Sequence, residues 1–149
     1  MDAATAAALV EESAKRSGLL WVRRAGPAAG EPPAPQPVWH IWHDGSAYLL
    51  TGGSEQPAPD GLGEPGARAE VTARSKDTGA RLVVWPARVH AVEPGSQEWD
   101  TVAALLQSRR LNSPDGEQAP QRWAAQCRLF RLTPDGDAVV TLGEAGMAG

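Results

Sequence analysis

Residues 38–53, VWHIWHDGSAYLLTGG, hold two of the six tryptophans, two of the three histidines and the single tyrosine of the chain. Imidazoles ligate metals or haem, and flat aromatic rings stack on flat cofactors. On a regular strand His40 and His43 point to opposite faces, so they cannot chelate one ion together. His43 lies beside a turn. His40 lies among apolar residues and reads as a core histidine, with His40 and His90 as the alternatives for an axial haem ligand. Trp39 and Trp42 are candidates for stacking on a cofactor ring, against the ordinary role of tryptophan in a core or an interface. Gly52-Gly53 could bring backbone close to a ligand or could simply end a strand. A second cluster is basic: Arg74, Ser75 and Lys76, followed by Thr78, Gly79 and Arg81. Arginine forks onto phosphate, lysine supplies a compact charge and glycine-turn amides add donors, although the same string also reads as a solvated hairpin tip.

Other chemistries are excluded or unsupported. The single cysteine, Cys127, leaves no internal disulfide and no cysteine-based zinc site, and reads as a small buried hydrophobe. No Ser-His-Asp spacing, paired-carboxylate motif or Walker-type loop stands out. A net charge of -4 argues against a general nucleic-acid binder. No signal-peptide pattern or membrane-spanning run occurs, which predicts a cytoplasmic protein with no membrane partner.

The elements that must position these residues follow from patterning. The chain has 149 residues, 42% hydrophobic and 21% charged, which suits one globular domain over 1–149 with a short flexible tail from about 143. A helix is predicted over 3–16, capped by Asp2 and stopped by Gly18. Strand 18–24 follows, then a Pro/Ala/Gly loop over 25–37. Asp44-Gly45 is a type I′ hairpin signal. It sets His43 opposite Ser46, Trp42 opposite Ala47, Ile41 opposite Tyr48, His40 opposite Leu49 and Trp39 opposite Leu50. One face then carries Val38, His40, Trp42, Ala47, Leu49 and Thr51. The other carries Trp39, Ile41, His43, Ser46, Tyr48 and Leu50. Both faces are mostly apolar, as in a barrel with helices or a second subunit outside it. Residues 54–69 read as a second flexible segment. Strands are predicted over 70–74 and 81–92, with Pro86 marking an edge or a bulge. A helix from a Ser96 cap to about 111 carries Trp99, Val102, Ala103 and Leu106 on one face. A helical turn over 121–126, a strand over 127–133 and a short last strand over 138–142 complete a mainly β chain.

This order of elements, with PVWHIW, DG, YLLTG and a helix starting near Trp99, resembles the split-barrel flavin-binding proteins, the pyridoxamine phosphate oxidase-like family. The resemblance spans residues 3–134. It implies a six-stranded antiparallel split β-barrel flanked by helices. It also implies a homodimer with FMN, or in some members another flavin-like cofactor or haem, in grooves at the dimer interface. It places Thr51 at the strand-end phosphate position and Ser54 at the following serine. Gln56 stands where the family carries Lys or Arg, and the strand before the turn has no Lys or Arg. The cofactor-binding set is therefore Trp39, Trp42, Thr51, Gly52 and Ser54, with Arg74, Ser75 and Lys76 as substitute phosphate ligands. The implied function is flavin-dependent oxidoreduction of an unidentified small molecule. The alternative is a flavin-free binding or structural module.

Overall fold

The computed structural model describes residues 3–25, 33–74, 81–109 and 118–142. Helix α1 (Ala3–Arg16) is followed by strands β1 (Leu20–Ala25), β2 (Gln36–Val38), β3 (Ile41–His43), β4 (Ser46–Thr51), β5 (Arg68–Arg74) and β6 (Arg81–Val92). Then come α2 (Gln97–Arg109), α3 (Ala119–Gln126), β7 (Arg128–Pro134) and β8 (Val139–Leu142). The sheet runs β2-β1-β5-β6-β7-β4-β3, with β8 added to β6, and every pairing between these strands is antiparallel. The ends of that path, β2 and β3, are separated in sequence only by Trp39 and His40. The chain therefore joins the two edges of its own sheet, and the sheet closes into a barrel.

The residue pattern predicts six or seven strands and the resemblance implies six; the sheet contains eight. β2 and β3 are one strand broken at Trp39-His40, and β8 is a short extra partner of β6. The predicted register holds for His43–Ser46, Trp42–Ala47 and Ile41–Tyr48, but Trp39 and His40 leave the ladder before they can pair with Leu50 and Leu49. The Gln56 side chain fills the gap. Its Oε1 accepts from the Trp39 N–H at 2.9 Å, and its Nε2 donates to Trp39 O at 2.9 Å and Leu50 O at 3.2 Å. One amide thus supplies the rung that the backbone omits. Gln56 is itself held by its backbone oxygen, which accepts from Gly52 N–H at 2.8 Å.

Asp44 (φ 49°) and Gly45 (φ 80°) form the expected type I′ turn. The two apolar faces of the hairpin serve two cores. Val38, Ala47 and Leu49 point into the barrel with Val22, Val71, Trp85, Phe130 and Leu132. Ile41, Tyr48 and Leu50 face outward beneath α2 and α3, against Trp99, Val102, Leu106 and Trp123. Fully burying a side chain of this size contributes about 2 kcal/mol. The outer helices therefore account for the second apolar face that the sequence leaves open between helices and a partner subunit. Ser96 caps α2 as predicted, its Oγ accepting from the Trp99 N–H at 3.1 Å.

Two segments differ from expectation. Gln36 and Pro37, predicted as loop, pair with β1 as part of β2. Residues 54–67 are anchored through Leu62, 1% exposed, which joins the barrel interior, so this segment is not the flexible one predicted. Pro86 marks the point where β6 passes from β8 (81–84) to β7 (87–92). Its carbonyl accepts from Asp135 N–H on that side, so its missing donor falls in the gap between the two partners and costs no ladder bond. The predicted turn 75–80 and the tail from 143 lie outside the described residues.

Replacing Gln56 by Leu removes all three splice bonds and strands a half-buried N–H and two carbonyls. The expected loss is about 3 kcal/mol in urea unfolding. A loss below about 0.5 kcal/mol would show that the amide does not close the barrel.

Candidate functional site

One barrel end gathers several residues singled out in the sequence. Trp39 is half-buried and lines a cleft of 320 Å³ with His40, Ile41, Leu106 and Arg109. The end of α1 fastens this region. His40 Nε2 lies 2.7 Å from Ala14 O, and Ser17 Oγ donates to Arg74 O at 2.9 Å. A carbonyl can only accept, so His40 is the Nε2–H tautomer and its buried Nδ1 has no partner among the described residues. Burial holds the imidazole below its ordinary pKa of 6.5; the Ala14 bond opposes this and the nearby Arg109 charge adds to it. Both ring nitrogens are thus committed to or enclosed by the fold, which leaves His40 unsuited to ligating a haem. Ser75 and Lys76 lie outside the described residues.

The strand-end corner is closed from within. Thr51 is buried and its Oγ1 donates to Arg128 O at 3.1 Å. Gly52 (φ 85°) and Gly53 (φ 57°) turn the chain tightly past α3, and a Cβ on Gly53 would lie 3.1 Å from Cys127 Sγ. Arg122 of α3 donates to Ser54 Oγ and pairs at 3.4 Å with Glu55, whose side chain is 4% exposed. A phosphate placed here would face a buried carboxylate and an arginine already engaged by it. The corner as built does not fit a phosphate group. Trp42 is on the other face: it meets Trp85 edge-on at 6.1 Å and donates to Glu11 Oε1 at 3.2 Å. Trp39 and Trp42 therefore cannot flank one ring.

A feature absent from the predicted set lies on the outer face beside the first turn of α2. Ile41, Tyr48, Arg131 and His90 form one cross-strand row. His43 and Ser46, with Thr133 and Arg88, belong to the adjacent row on the same face. All but Ile41 are polar. The next row in the other direction, Leu50–Leu129–Val92, is wholly apolar and lies under the helices. The polar rows floor a groove of 520 Å³ whose far wall includes Gln97, Glu98 and Thr101. Within it Tyr48 Oη donates to Glu98 Oε2 at 2.7 Å, and Arg131 Nη1 donates to the same oxygen at 2.6 Å. Ser46 and Thr133 hydroxyls lie 3.1 Å apart. Burial and the Glu98 bond push the Tyr48 pKa up to about 12. Burial works to raise the Glu98 carboxyl, but the bonds from Tyr48 and Arg131 outweigh it and hold it below its ordinary value. The signal for this groove was present in the alternation, which puts His43, Ser46 and Tyr48 on one face and Arg131 at an outward position of β7. The resemblance drew attention elsewhere, to the strand end.

No protein-family model matches the chain, and no curated protein matches it in sequence. Solved structures do. HutZ, the haem storage protein of Vibrio cholerae, superposes with a TM-score of 0.63 at 17% identity, over 91% of this chain and 95% of that one. The general stress FMN/FAD-binding protein of Xanthomonas citri gives 0.58 at 14% identity, over 95% and 91%. An FAD-binding protein of Mesorhizobium loti gives 0.57 at 13%, over 90% and 91%. The fold is the split barrel of the flavin-binding proteins. At these identities the likeness is one of fold. Within this split barrel, Trp39 and Arg74 lie at the end fastened by α1, Thr51, Gly52 and Ser54 form an adjoining, self-satisfied corner linked to Trp39 through Gln56, and Trp42 is on the other face of the hairpin. No helix is long and apolar enough to cross a membrane among the described residues.

Two titrations test this geometry. Tyr48 is the single tyrosine, so absorbance near 295 nm follows it alone. Its midpoint is expected near 12, falling toward 10 in Glu98→Gln; a wild-type midpoint at 10 would contradict the Tyr48–Glu98 bond. For His40, the folded pKa is depressed, so its contribution is complete above about pH 6.5 and declines as pH falls below that value. Stability of the wild type relative to His40→Gln, which keeps a donor for Ala14, is expected to fall between pH 7 and pH 5. A constant difference would show that His40 titrates normally.

Proposed function

We propose that this chain binds FMN at the Trp39 end of the split barrel and serves flavin-dependent oxidoreduction of a small molecule. The observation that carries this reading is the cleft beside Trp39, an apolar slot against an indole with Arg109 at its rim. It lies at the barrel end where Arg74 leaves β5, tied through Ser17 to the same helix end that His40 meets. A flat ring would lie against Trp39, and the phosphate would be taken by Arg74 with Ser75 and Lys76, the closed corner at Thr51 and Ser54 being unavailable. The flavin, when bound, supplies the electron transfer; the chain supplies the slot and the charge. The fold likeness to FMN- and FAD-binding proteins supports the cofactor class.

The homodimer is proposed on a different stretch of the outer surface. Pro37, Trp21, Thr72, Val84 and Val139 align across β2, β1, β5, β6 and β8. Trp21 is 45% exposed and Val139 54%, a pair of large apolar side chains on one open sheet surface. A second copy of the chain would bury this row. The cytoplasm is the compartment consistent with the reading.

A second reading, a flavin-free binding or structural module, rests on one observation: Glu55 occupies Arg122 and Gln56 is spent on the barrel splice, where the family pattern calls for a base.

The test is an absorption spectrum after adding FMN and removing the excess, with sedimentation of the same sample. Retained flavin is expected, with FMN about tenfold tighter than riboflavin, a difference of about 1.4 kcal/mol. Arg74→Ala with Lys76→Ala should abolish that difference, Trp39→Ala should weaken both ligands, and Trp21→Glu should convert dimer to monomer. A colourless protein supports the module. A Soret band as purified would replace flavin by haem and turn attention to His90.

A further inference from the structure

We propose that the polar groove over Tyr48, Arg131 and His90 is a second binding site, for the oxyanion of a small organic acid: a carboxylate or a phosphate monoester. The groove and the Trp39 cleft share the outer face of the sheet but are separated by the apolar row Leu50–Leu129–Val92 beneath the helices. This inference therefore stands apart from the flavin reading.

The two polar rows are anomalous for a sheet face that elsewhere feeds a core. Along β4 the same face goes from Leu50, buried under α2 and α3, to Tyr48 and then Ser46. Along β6 it goes from Val92 to His90 to Arg88, and along β7 from Leu129 to Arg131 to Thr133. Three neighbouring strands thus change from apolar to polar at the same level. A merely solvated edge would carry long charged side chains directed outward. Here the groups converge on a concavity of 520 Å³, within the size range that holds a metabolite.

The hydrogen-bond inventory favours an acceptor ligand. Glu98, one of the two carboxylates lining the groove, is already engaged by both Tyr48 and Arg131. The other, Asp44, stands exposed in the hairpin turn. Among the described residues, the side chains of His43, His90, Gln97 and Thr101 line the groove and make no hydrogen bond to protein, His43 resting against the Tyr48 ring. Ser46 and Thr133 share a single hydrogen bond, so one of their two hydroxyl hydrogens remains to be donated. Arg88 adds positive charge at the rim, partly drawn toward Asp135 at 3.3 Å. Each of these groups can donate, as can Arg131 Nε, which is buried without a partner among the described residues, and the fixed negative charge nearest to them is engaged by Tyr48 and Arg131. The first turn of α2, whose N-terminal dipole favours negative charge, forms the opposite wall.

The experiment is an NMR titration of the full-length chain, following the imidazoles of His43 and His90 and the Arg131 side chain. Inorganic phosphate and succinate are the probes. Saturable shifts confined to these side chains are expected at millimolar concentration. Phosphate alone would assign the site to phosphate monoesters, succinate alone to carboxylic acids, and both to the shared oxyanion chemistry. His90→Gln should weaken binding about threefold to tenfold. Glu98→Gln, which removes a negative charge and releases Arg131, should tighten it by a similar factor. Should Glu98→Gln fail to fold, His90→Gln at its half-exposed position carries the test. Absence of saturation with either probe, or weaker binding in a folded Glu98→Gln, overturns the proposal, since a site for cations would respond to Glu98 in that opposite sense.

Discussion

The barrel depends on one side-chain amide. An eight-residue strand, 36–43, crossing from one sheet edge to the other would have to twist through Trp39 and His40 while keeping its ladder intact. The chain instead drops the rung, and Gln56 replaces it with donors and an acceptor on both sides of the break. That solution constrains everything near it. Gly52 and Gly53 must turn with positive φ to bring residue 56 back, Thr51 must be buried beneath the turn, and Glu55, the neighbour of the splice, is carried inward to meet Arg122. An interaction needed for closure thus decides what the adjoining corner can bind. A base at position 56 could not make the same three bonds, because neither Lys nor Arg offers an acceptor to the Trp39 N–H.

Much of this was legible in residue order. The Asp44-Gly45 turn specifies the hairpin register, because its two central residues must both take positive φ and leave no slack. The alternation on either side of it correctly separates Val38, Ala47 and Leu49 from Ile41, Tyr48 and Leu50. Helices α1 and α2 follow from Ala-rich periodicity and a serine cap, both local effects. What could not be read is long-range. Nothing near residue 56 announces that its side chain serves residue 39. Nothing in the Pro/Gly-rich stretch before Arg68 marks Leu62 as a core residue except its being an isolated leucine.

The candidate sites divide the same way. His40, the neighbour of Trp39, and Arg74 are tied to one end of the barrel because the end of α1 bonds to both, contacts between segments distant in sequence. Trp42 parts from Trp39 because odd spacing on a strand sends them to opposite faces, which the sequence does state. The Tyr48–Glu98–Arg131 cluster draws one residue each from β4, α2 and β7, so no motif of adjacent residues could reveal it.

The position of β7 has a consequence for how the chain reaches this structure. It lies between β4 and β6 and pairs Ala47 with Leu132, across most of the chain length. Until residues 128–134 arrive, β4 and the second half of β6 each lack a neighbour on one side, both with apolar faces. Loop closure over such distances is entropically costly and yields little until the strand is in place, so the topology favours a slow, late-committing folding reaction. The open edges of β4 and β6 in the unfinished barrel are the surfaces through which partly folded chains would associate. The polar rows contributed by Ser46, Arg88 and His90 lie along those same strands. Whatever they bind in the finished protein, they also interrupt the apolar surface of the unfinished one.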